Sequence, residues 1–296
     1  LIAEIGGGIF SKKIVDELNK KGIKTILITP SLKDFNFKNK LENFPVIHFT
    51  GSPTVTFIGI LTLLRFHFWG KKIVVSWIGF DIRRVKSNWF WRMTSKILLD
   101  KIDVNITDDE IVAKELNDVG IPAKAQPLPV YSMYPLTNLP TERKIVVYLP
   151  DPTIRDFEHY QGNMIQKLVK EFQDVEFIIL RNSGKFFQND KNVKCFKWID
   201  NMKDIYQNAI AVVRLPRHDA TGVTIIETLS MGRTMIASGT QFPFCKIVNN
   251  YDEAKYHLQD IITNPILNED ASKFVHEKYN NSKLADDLIK ICTELV

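Results

Sequence analysis

Short apolar runs alternate with stretches of helical period along the first 110 or so residues. The runs at 1–5, 25–29, 46–49, 73–76 and 103–106 read as strands, with helices between them. This βαβα order predicts a parallel, doubly wound sheet. Between 127 and 142 the periodicity stops. Pro127, Pro129, Pro135 and Pro140 fall there, and prolines this dense exclude a helix and mark a connection between domains. The alternation then restarts with a strand at 145–149 and a helix over 157–172. That helix places Phe157, Tyr160, Met164, Leu168 and Phe172 on one face. Strands follow at 175–180 and 193–196, and the tail at 283–296 has Leu284, Leu288, Cys292 and Leu295 at helical spacing. No internal repeat of roughly 20–50 residues is present. The expected organisation is α/β, with two Rossmann-like domains at 1–130 and 143–280. A linker at 131–142 joins them and a helix at 281–296 closes the chain.

Composition narrows the class. The chain has 296 residues, 45% of them apolar, ordinary for a globular protein of two domains. Three cysteines, Cys195, Cys245 and Cys292, form an odd set without CxxC spacing, which fits a reducing compartment and argues against a zinc site. No secretory signal pattern is visible, so a cytoplasmic location is expected. The most apolar run, 57–69, is interrupted by Arg65 and His67 and is shorter than the ~20 residues of a spanning helix. The net charge of +5 is uneven: residues 1–130 hold 19 Lys+Arg against 13 Asp+Glu, and the remainder 20 against 21. A basic N-terminal half suits a phosphate-bearing or anionic-membrane partner. It is too mild for a nucleic-acid binder and lacks any accompanying signature.

The stretch AVVRLPRHDATGVTIIETLSMGRTMIAS (211–238) is the most informative. It predicts a buried strand at 211–215, a polar loop, a helix opening near Thr221 and ending at Met231-Gly232, and a second strand at 234–238. A strand–loop–helix of this kind puts loop side chains and free helix N–H groups at the carboxyl edge of a sheet, where anions bind. Asp219 lies in the loop and Glu227 two turns into the helix.

An acid, seven residues, then Glu, with Gly between them and a small-Gly-basic helix end, resembles the nucleotide-sugar signature of retaining GT-B glycosyltransferases. Further pieces in matching order are Gly6-Gly7-Gly8, Val46-Ile47-His48, the run from Val74 to Asp81, and Pro127-Leu128-Pro129-Val130. The resemblance implies a GT-B fold, two Rossmann-like domains facing across a cleft, whose terminal helix often crosses back to the first domain. It assigns Glu227 to the ribose hydroxyls, Asp219 to the donor sugar, and the Gly6, Gly7 and Gly8 loop to the diphosphate. The chain departs from the family at several points, among them the Arg/Lys pair usual after the first strand of the second domain, which is out of register here with Arg155 nearest. Asp219 replaces the usual Glu, Ala220-Thr221-Gly222 stands for Gly-aromatic-Gly, and Ile78 stands where many members have His.

Other candidates follow from chemistry and position. The triple glycine lets backbone N–H groups approach a phosphate ahead of a helix starting near Ser11, or forms a plain tight turn. It is not GxGxxG, and the second strand ends Thr29-Pro30-Ser31 with Asp34 further on, so no dinucleotide cofactor is expected. Cations for the diphosphate are sought among Arg155, Arg181, Lys185 and Arg217, with Gly222 and Thr221 at the helix start; each cation could equally be solvated surface. His218 donates to phosphate or sugar, or caps the helix. Asp81 orients an acceptor hydroxyl, or caps a helix beginning at Ile82. His48 reads as a core-edge residue rather than a catalyst. The aromatic and basic residues of 57–96 suit contact with anionic lipid, or belong to the core. The expected activity is transfer of a sugar from a nucleoside diphosphate donor to a hydroxyl of a glycan or lipid-linked acceptor. Retention, independence of metal and the absence of a cofactor come from the resemblance and the lack of a suitably placed DxD. A non-catalytic GT-B scaffold subunit and a nucleotide-sugar epimerase of the same fold are the alternatives.

Overall fold

A computed structural model describes residues 1–6, 9–29 and 38–296. Gly7, Gly8, Pro30, Ser31 and Asp34 lie outside the described residues. The chain divides into two compact units. Unit 1 comprises Leu1–Tyr131 with Tyr279–Val296, and unit 2 comprises Ser132–Lys278.

Unit 1 is built on a six-stranded sheet in the order β2-β1-β3-β4-β5-β6. Its strands are β1 (Ile2–Ile5), β2 (Thr25–Ile28), β3 (Val46–Thr50), β4 (Lys72–Trp77), β5 (Val104–Thr107) and β6 (Lys124–Ala125). Every pairing is parallel. The chain passes from β1 to β2 on one side, then crosses to β3 on the other. The crevice at the carboxyl ends of β1 and β3 is therefore a topological switch point. The C-terminal helix Asn281–Thr293 packs on the helix Ile9–Lys20. Lys21 pairs with Asp286 at 2.6 Å, and the Asn281 side chain bonds both the N–H and the carbonyl of Tyr131.

Unit 2 holds a second parallel six-stranded sheet, β9-β8-β7-β10-β11-β12. Its strands are β7 (Lys144–Tyr148), β8 (Glu176–Leu180), β9 (Val193–Phe196), β10 (Ala211–Arg214), β11 (Thr234–Ala237) and β12 (Cys245–Ile247). In order along the chain this is 3-2-1-4-5-6, the Rossmann arrangement, with its switch point between β7 and β10. Ile145, Val147, Phe177, Ile179, Val213 and Ile236 form the centre of its core. Both sheets are covered by helices, which is why their strands carry continuous apolar runs.

Several boundaries differ from the expected ones. The helix expected over 157–172 is two helices, Ile154–His159 and Gly162–Glu171, separated by Gln161 at φ 53°. A Cβ on Gly162 would lie 2.3 Å from the Phe157 ring, so the chain turns at this glycine to bring the two helices together. The helix expected near Thr221 runs Val223–Ser230 with Gly222 as its N-cap. The first helix begins at Ile9 rather than Ser11. Strands β6 and β12 were not anticipated; they are short edge strands of two and three residues.

The proline-rich segment is tied to unit 2 by Arg233, a buried residue. Its guanidinium donates to the Thr137 and Asn138 carbonyls and the Thr137 hydroxyl at 2.7–2.9 Å. It also reaches the Tyr206 and Gln207 carbonyls. Extended proline-rich backbone has few internal hydrogen bonds, and one planar five-donor side chain satisfies two of its carbonyls at once. No described helix is long and apolar enough to cross a membrane.

Candidate functional site

At the switch point of unit 2, β7 ends at Tyr148 and β10 ends at Arg214. The Arg214 guanidinium lies over the Tyr148 ring at 4.6 Å and the Tyr160 ring at 5.3 Å. It grips Asp219 in a fork, Nε to Oδ2 at 2.6 Å and Nη2 to Oδ1 at 3.1 Å. Burial alone would pull the guanidinium pKa down, but the Asp219 carboxylate and its hydrogen bonds raise it instead. Arg214 therefore stays charged. The two rings adjoin each other, with centroids 5.4 Å apart, and planar, bidentate geometry against such aromatic surface is what Arg provides and Lys cannot.

Asp219 is also held from its backbone, whose N–H donates to the Gly239 carbonyl at 2.8 Å. Gly239 has φ +66°, and a Cβ there would lie 2.6 Å from the Pro216 carbonyl oxygen. Gly222 has a little more room: a Cβ would sit 3.1 Å from both Arg214 Nε and Asp219 Oδ2. The Arg214–Asp219 pair thus lies directly against the start of the helix Val223–Ser230, which no side chain caps. Partial positive charge from that helix end and the Arg214 cation act at one place, the usual basis of an anion site at a strand–loop–helix turn.

Glu227 lies on the second turn of this helix and is 8% exposed. It lines a cavity of about 250 Å³, walled by Tyr148, Leu180, Phe196, Trp198, Met202 and Tyr206. The Tyr206 hydroxyl donates to Glu227 Oε2 at 3.4 Å. Burial and the neighbouring carboxylate together push the Tyr206 phenol far above its ordinary range. Tyr134 is raised to about 12, by burial first and then by the charge of Glu227. The cavity offers one carboxylate in its lining and aromatic walls, a pattern suited to a flat ring carrying hydroxyls.

A second cavity of about 480 Å³ shares Tyr148 and Arg181 with the first and adds Asp151, Ser183, Lys185 and Lys197. Arg181, at φ 61°, stands over the Trp198 ring at 4.9 Å. Lys185 donates to the Asp151 carbonyl at 3.2 Å. The Asp151 carboxylate accepts from the Ser183 N–H and hydroxyl at 2.9 and 2.5 Å.

Of the residues named from the sequence, the fold brings Asp219 and Gly222 together, and places Glu227 and Arg181 in one cavity. Lys185 lines the neighbouring cavity, while Thr221 is buried and His218 half-buried in the loop. Arg155 and Arg217 are exposed and line neither cavity; Arg217 contributes its backbone N–H to the His159 carbonyl at 2.9 Å. Arg214, Tyr148, Tyr206 and Trp198 were missed. Only Arg214 had a legible signal, a cation ending an otherwise apolar strand.

In unit 1 a cavity of about 420 Å³ opens at the ends of β1 and β3. Gly6, Thr50, Gly51, Ser52, Ile78 and Asp81 are among its lining residues. A Cβ on Gly6 would lie 2.2 Å from Ser11 Oγ, so a larger residue there would require the Ser11 hydroxyl to turn away. Asp81 is on the first turn of the helix Gly79–Ser87, not ahead of one beginning at Ile82. Its carboxylate accepts from the Ser52 N–H at 2.6 Å and the Ile82 N–H at 2.8 Å. Burial raises its pKa to about 7 against the pull of these donors. His48 is wholly buried, with Nδ1 2.5 Å from Glu4 Oε2 and Nε2 2.6 Å from Ser76 Oγ. Thr50 donates to the other Glu4 oxygen at 2.5 Å. This network joins β1, β3 and β4.

No family model matches the chain, and no curated protein matches it. Solved structures do. Sucrose-phosphate synthase from Thermosynechococcus elongatus is 13% identical, with 99% of this chain and 98% of that chain covered and a TM-score of 0.79. HepE from Anabaena, solved with UDP and glucose, is 8% identical, with 99% of both chains covered and a TM-score of 0.74. The lipopolysaccharide outer core galactosyltransferase WaaB is 13% identical, with 100% and 99% covered and a TM-score of 0.65. At such identities the likeness is one of fold: this is an α/β protein of the GT-B class, with two parallel six-stranded sheets.

Proposed function

We propose that the chain is a glycosyltransferase that takes a sugar from a nucleoside diphosphate donor bound by unit 2. The observation that carries this reading is the placement of Glu227, a buried carboxylate lining an aromatic cavity, on a helix whose start adjoins the Arg214–Asp219 pair. The Glu227 carboxylate accepts the ribose hydroxyls while the aromatic walls cover the base. The start of the Val223–Ser230 helix, with Arg214 and Arg181, stabilises the charge that develops on the leaving diphosphate. Asp219 orients Arg214 and has lone pairs left for a sugar hydroxyl. Charge stabilisation by side chains and a helix terminus makes the reaction independent of metal, and the stereochemistry is retention.

The unit 1 cavity beside Asp81 serves the acceptor, a glycan or a lipid-linked saccharide. With a pKa near 7, Asp81 can exchange a proton with a bound hydroxyl at neutral pH. The enzyme works in the cytoplasm.

Glu227→Ala tests the donor site. Isothermal titration with uridine, guanosine, adenosine and thymidine diphosphates should show one tight ligand for the native chain and at least tenfold weaker binding in the variant. Equal affinity would refute the ribose assignment. Donor incubated without acceptor should give only slow hydrolysis; appearance of an epimeric donor would instead make the protein an epimerase. Nucleotide binding with no transfer to any acceptor would make it a scaffold.

A further inference from the structure

The helices Phe57–Phe68 and Trp89–Ile97 of unit 1 carry apolar surface that their own fold leaves outside. In the first, Leu63 and Phe66 face the core, whereas Phe57, Leu61 and Phe68 are 67%, 56% and 80% exposed. Those three and Arg65 recur every three or four residues and so form one stripe. In the second helix Ser95 is buried, and Trp89, Met93 and Ile97, four residues apart, are the exposed stripe.

The two helices meet at their starts and are bridged by a short turn. Their starts meet where the Phe57 ring packs on Phe90 at 6.1 Å and Trp91 at 5.3 Å. The short turn Leu99–Lys101, which follows the second helix, packs on the first. The result is a pair of apolar ridges up to about 18 Å long. An amphipathic helix normally turns its polar face to water; these turn Phe, Leu, Trp, Met and Ile outward.

Charge identifies the partner. Neither helix contains an acidic residue. Residues 51–99 hold eight Lys and Arg against one acid, Asp81, which is buried. Lys72 and Lys86 are paired with Asp103 and Glu115. The Arg92 guanidinium, however, donates to two backbone carbonyls, which leave its charge uncancelled, and Lys96 is exposed beside Ile97. The acids at the ends of the ridges are balanced, Asp100 by Lys101, so exposed aromatic and aliphatic side chains with net cationic flanks match the headgroup–acyl boundary of an anionic bilayer.

We propose that these two helices seat unit 1 on a membrane containing anionic lipid, with the exposed rings in the interface and the cations among the headgroups. This stands apart from the reading of the nucleotide site, because vesicle binding and nucleotide binding are measured separately. The full chain is tested by flotation with phosphatidylglycerol–phosphatidylcholine vesicles and with phosphatidylcholine alone. Native protein should bind the mixture and lose affinity as salt rises. Combining Phe68→Glu with Trp89→Glu, both at exposed positions, should weaken binding at least tenfold while leaving the melting temperature and nucleotide binding unchanged. Lys96→Glu removes one cation and adds an anion, each worth about fivefold, and should act only on the anionic vesicles. Tyr256→Glu, an exposed aromatic of unit 2, should change nothing. Native protein absent from the anionic vesicles, or a double variant bound as tightly as native, overturns the proposal. So does a native dimer that the double variant dissociates in sedimentation without any vesicle binding, which would make the ridges a face between copies.

Discussion

The Arg214 guanidinium gives both Nε and Nη2 to Asp219 while two tyrosine rings cover it. Its side chain and that of Asp219 are 10% and 14% exposed, so removal of one partner leaves a largely buried charge alone. Arg214→Met should destabilise unit 2 by about 3 kcal/mol in urea unfolding. If Arg214 serves the phosphates as proposed, the variant should also weaken nucleoside diphosphate more than nucleoside; an equal loss for both ligands would separate Arg214 from the diphosphate. Gly222→Ala is a subtler test. Its φ of −67° suits alanine, which by itself would stabilise by about 0.4–1 kcal/mol. The new methyl would meet the ion pair at 3.1 Å, and the pair is backed by Tyr148 and Tyr160. Donor affinity should therefore fall at least fivefold by titration calorimetry even if the melting temperature hardly moves. The spacing of Asp219 and Glu227 was legible in the sequence. Their different fates, one gripped by Arg214 and the other lining a cavity, were not, because Arg214 comes from a strand and Trp198 from the loop after another.

At the scale of elements, Asp81 links the loop after β3 to the helix after β4. Its folded pKa is about 7 against an ordinary 3.8. Between these values the folded protein holds a proton that the unfolded chain has released. The stability this group contributes is present in full below about pH 4 and lost as pH rises through 7. At about 1.4 kcal/mol per pKa unit the change is about 4 kcal/mol at most. Urea midpoints of the native protein should fall between pH 5 and 8 by more than those of Asp81→Asn. That variant cannot ionise, but its amide NH₂ must face either the Ser52 or the Ile82 N–H, costing about 1 kcal/mol. Identical pH profiles would mean that Asp81 is ionised throughout. The division at Gln161 belongs to the same scale. Apolar spacing over 157–172 is continuous, yet the helix breaks at Gln161, where φ is 53° and the Phe157 ring packs against Gly162. Gln161 Nε2 then donates to the Leu215 carbonyl at 3.1 Å and Ser238 Oγ at 3.0 Å, bonds made at the ends of β10 and β11 and invisible to local periodicity.

For the molecule as a whole, the donor reading has a ligand-linked consequence. The cognate nucleoside diphosphate at 100 times its dissociation constant should stabilise the part that binds it by about 2.7 kcal/mol. That is about 5–10 °C in melting temperature for a unit of this size. The shift should appear in a scan of nucleoside diphosphates and vanish with Glu227→Ala; a shift preserved in that variant would place the nucleoside elsewhere. The α/β class, most strands and the two-part organisation could be read from the chain itself, because burial of parallel strands under helices imposes continuous apolar runs at a fixed alternation with helical stretches. Tertiary structure alone decided strand order, and hence where each sheet has its switch point. It alone decided which cations meet the helix start and which stay in solvent, and that two helices present their rings outward. Those outcomes depend on pairings between residues far apart in sequence, while the spacing of apolar residues reports only whether a side chain can be buried and not what it will be buried against.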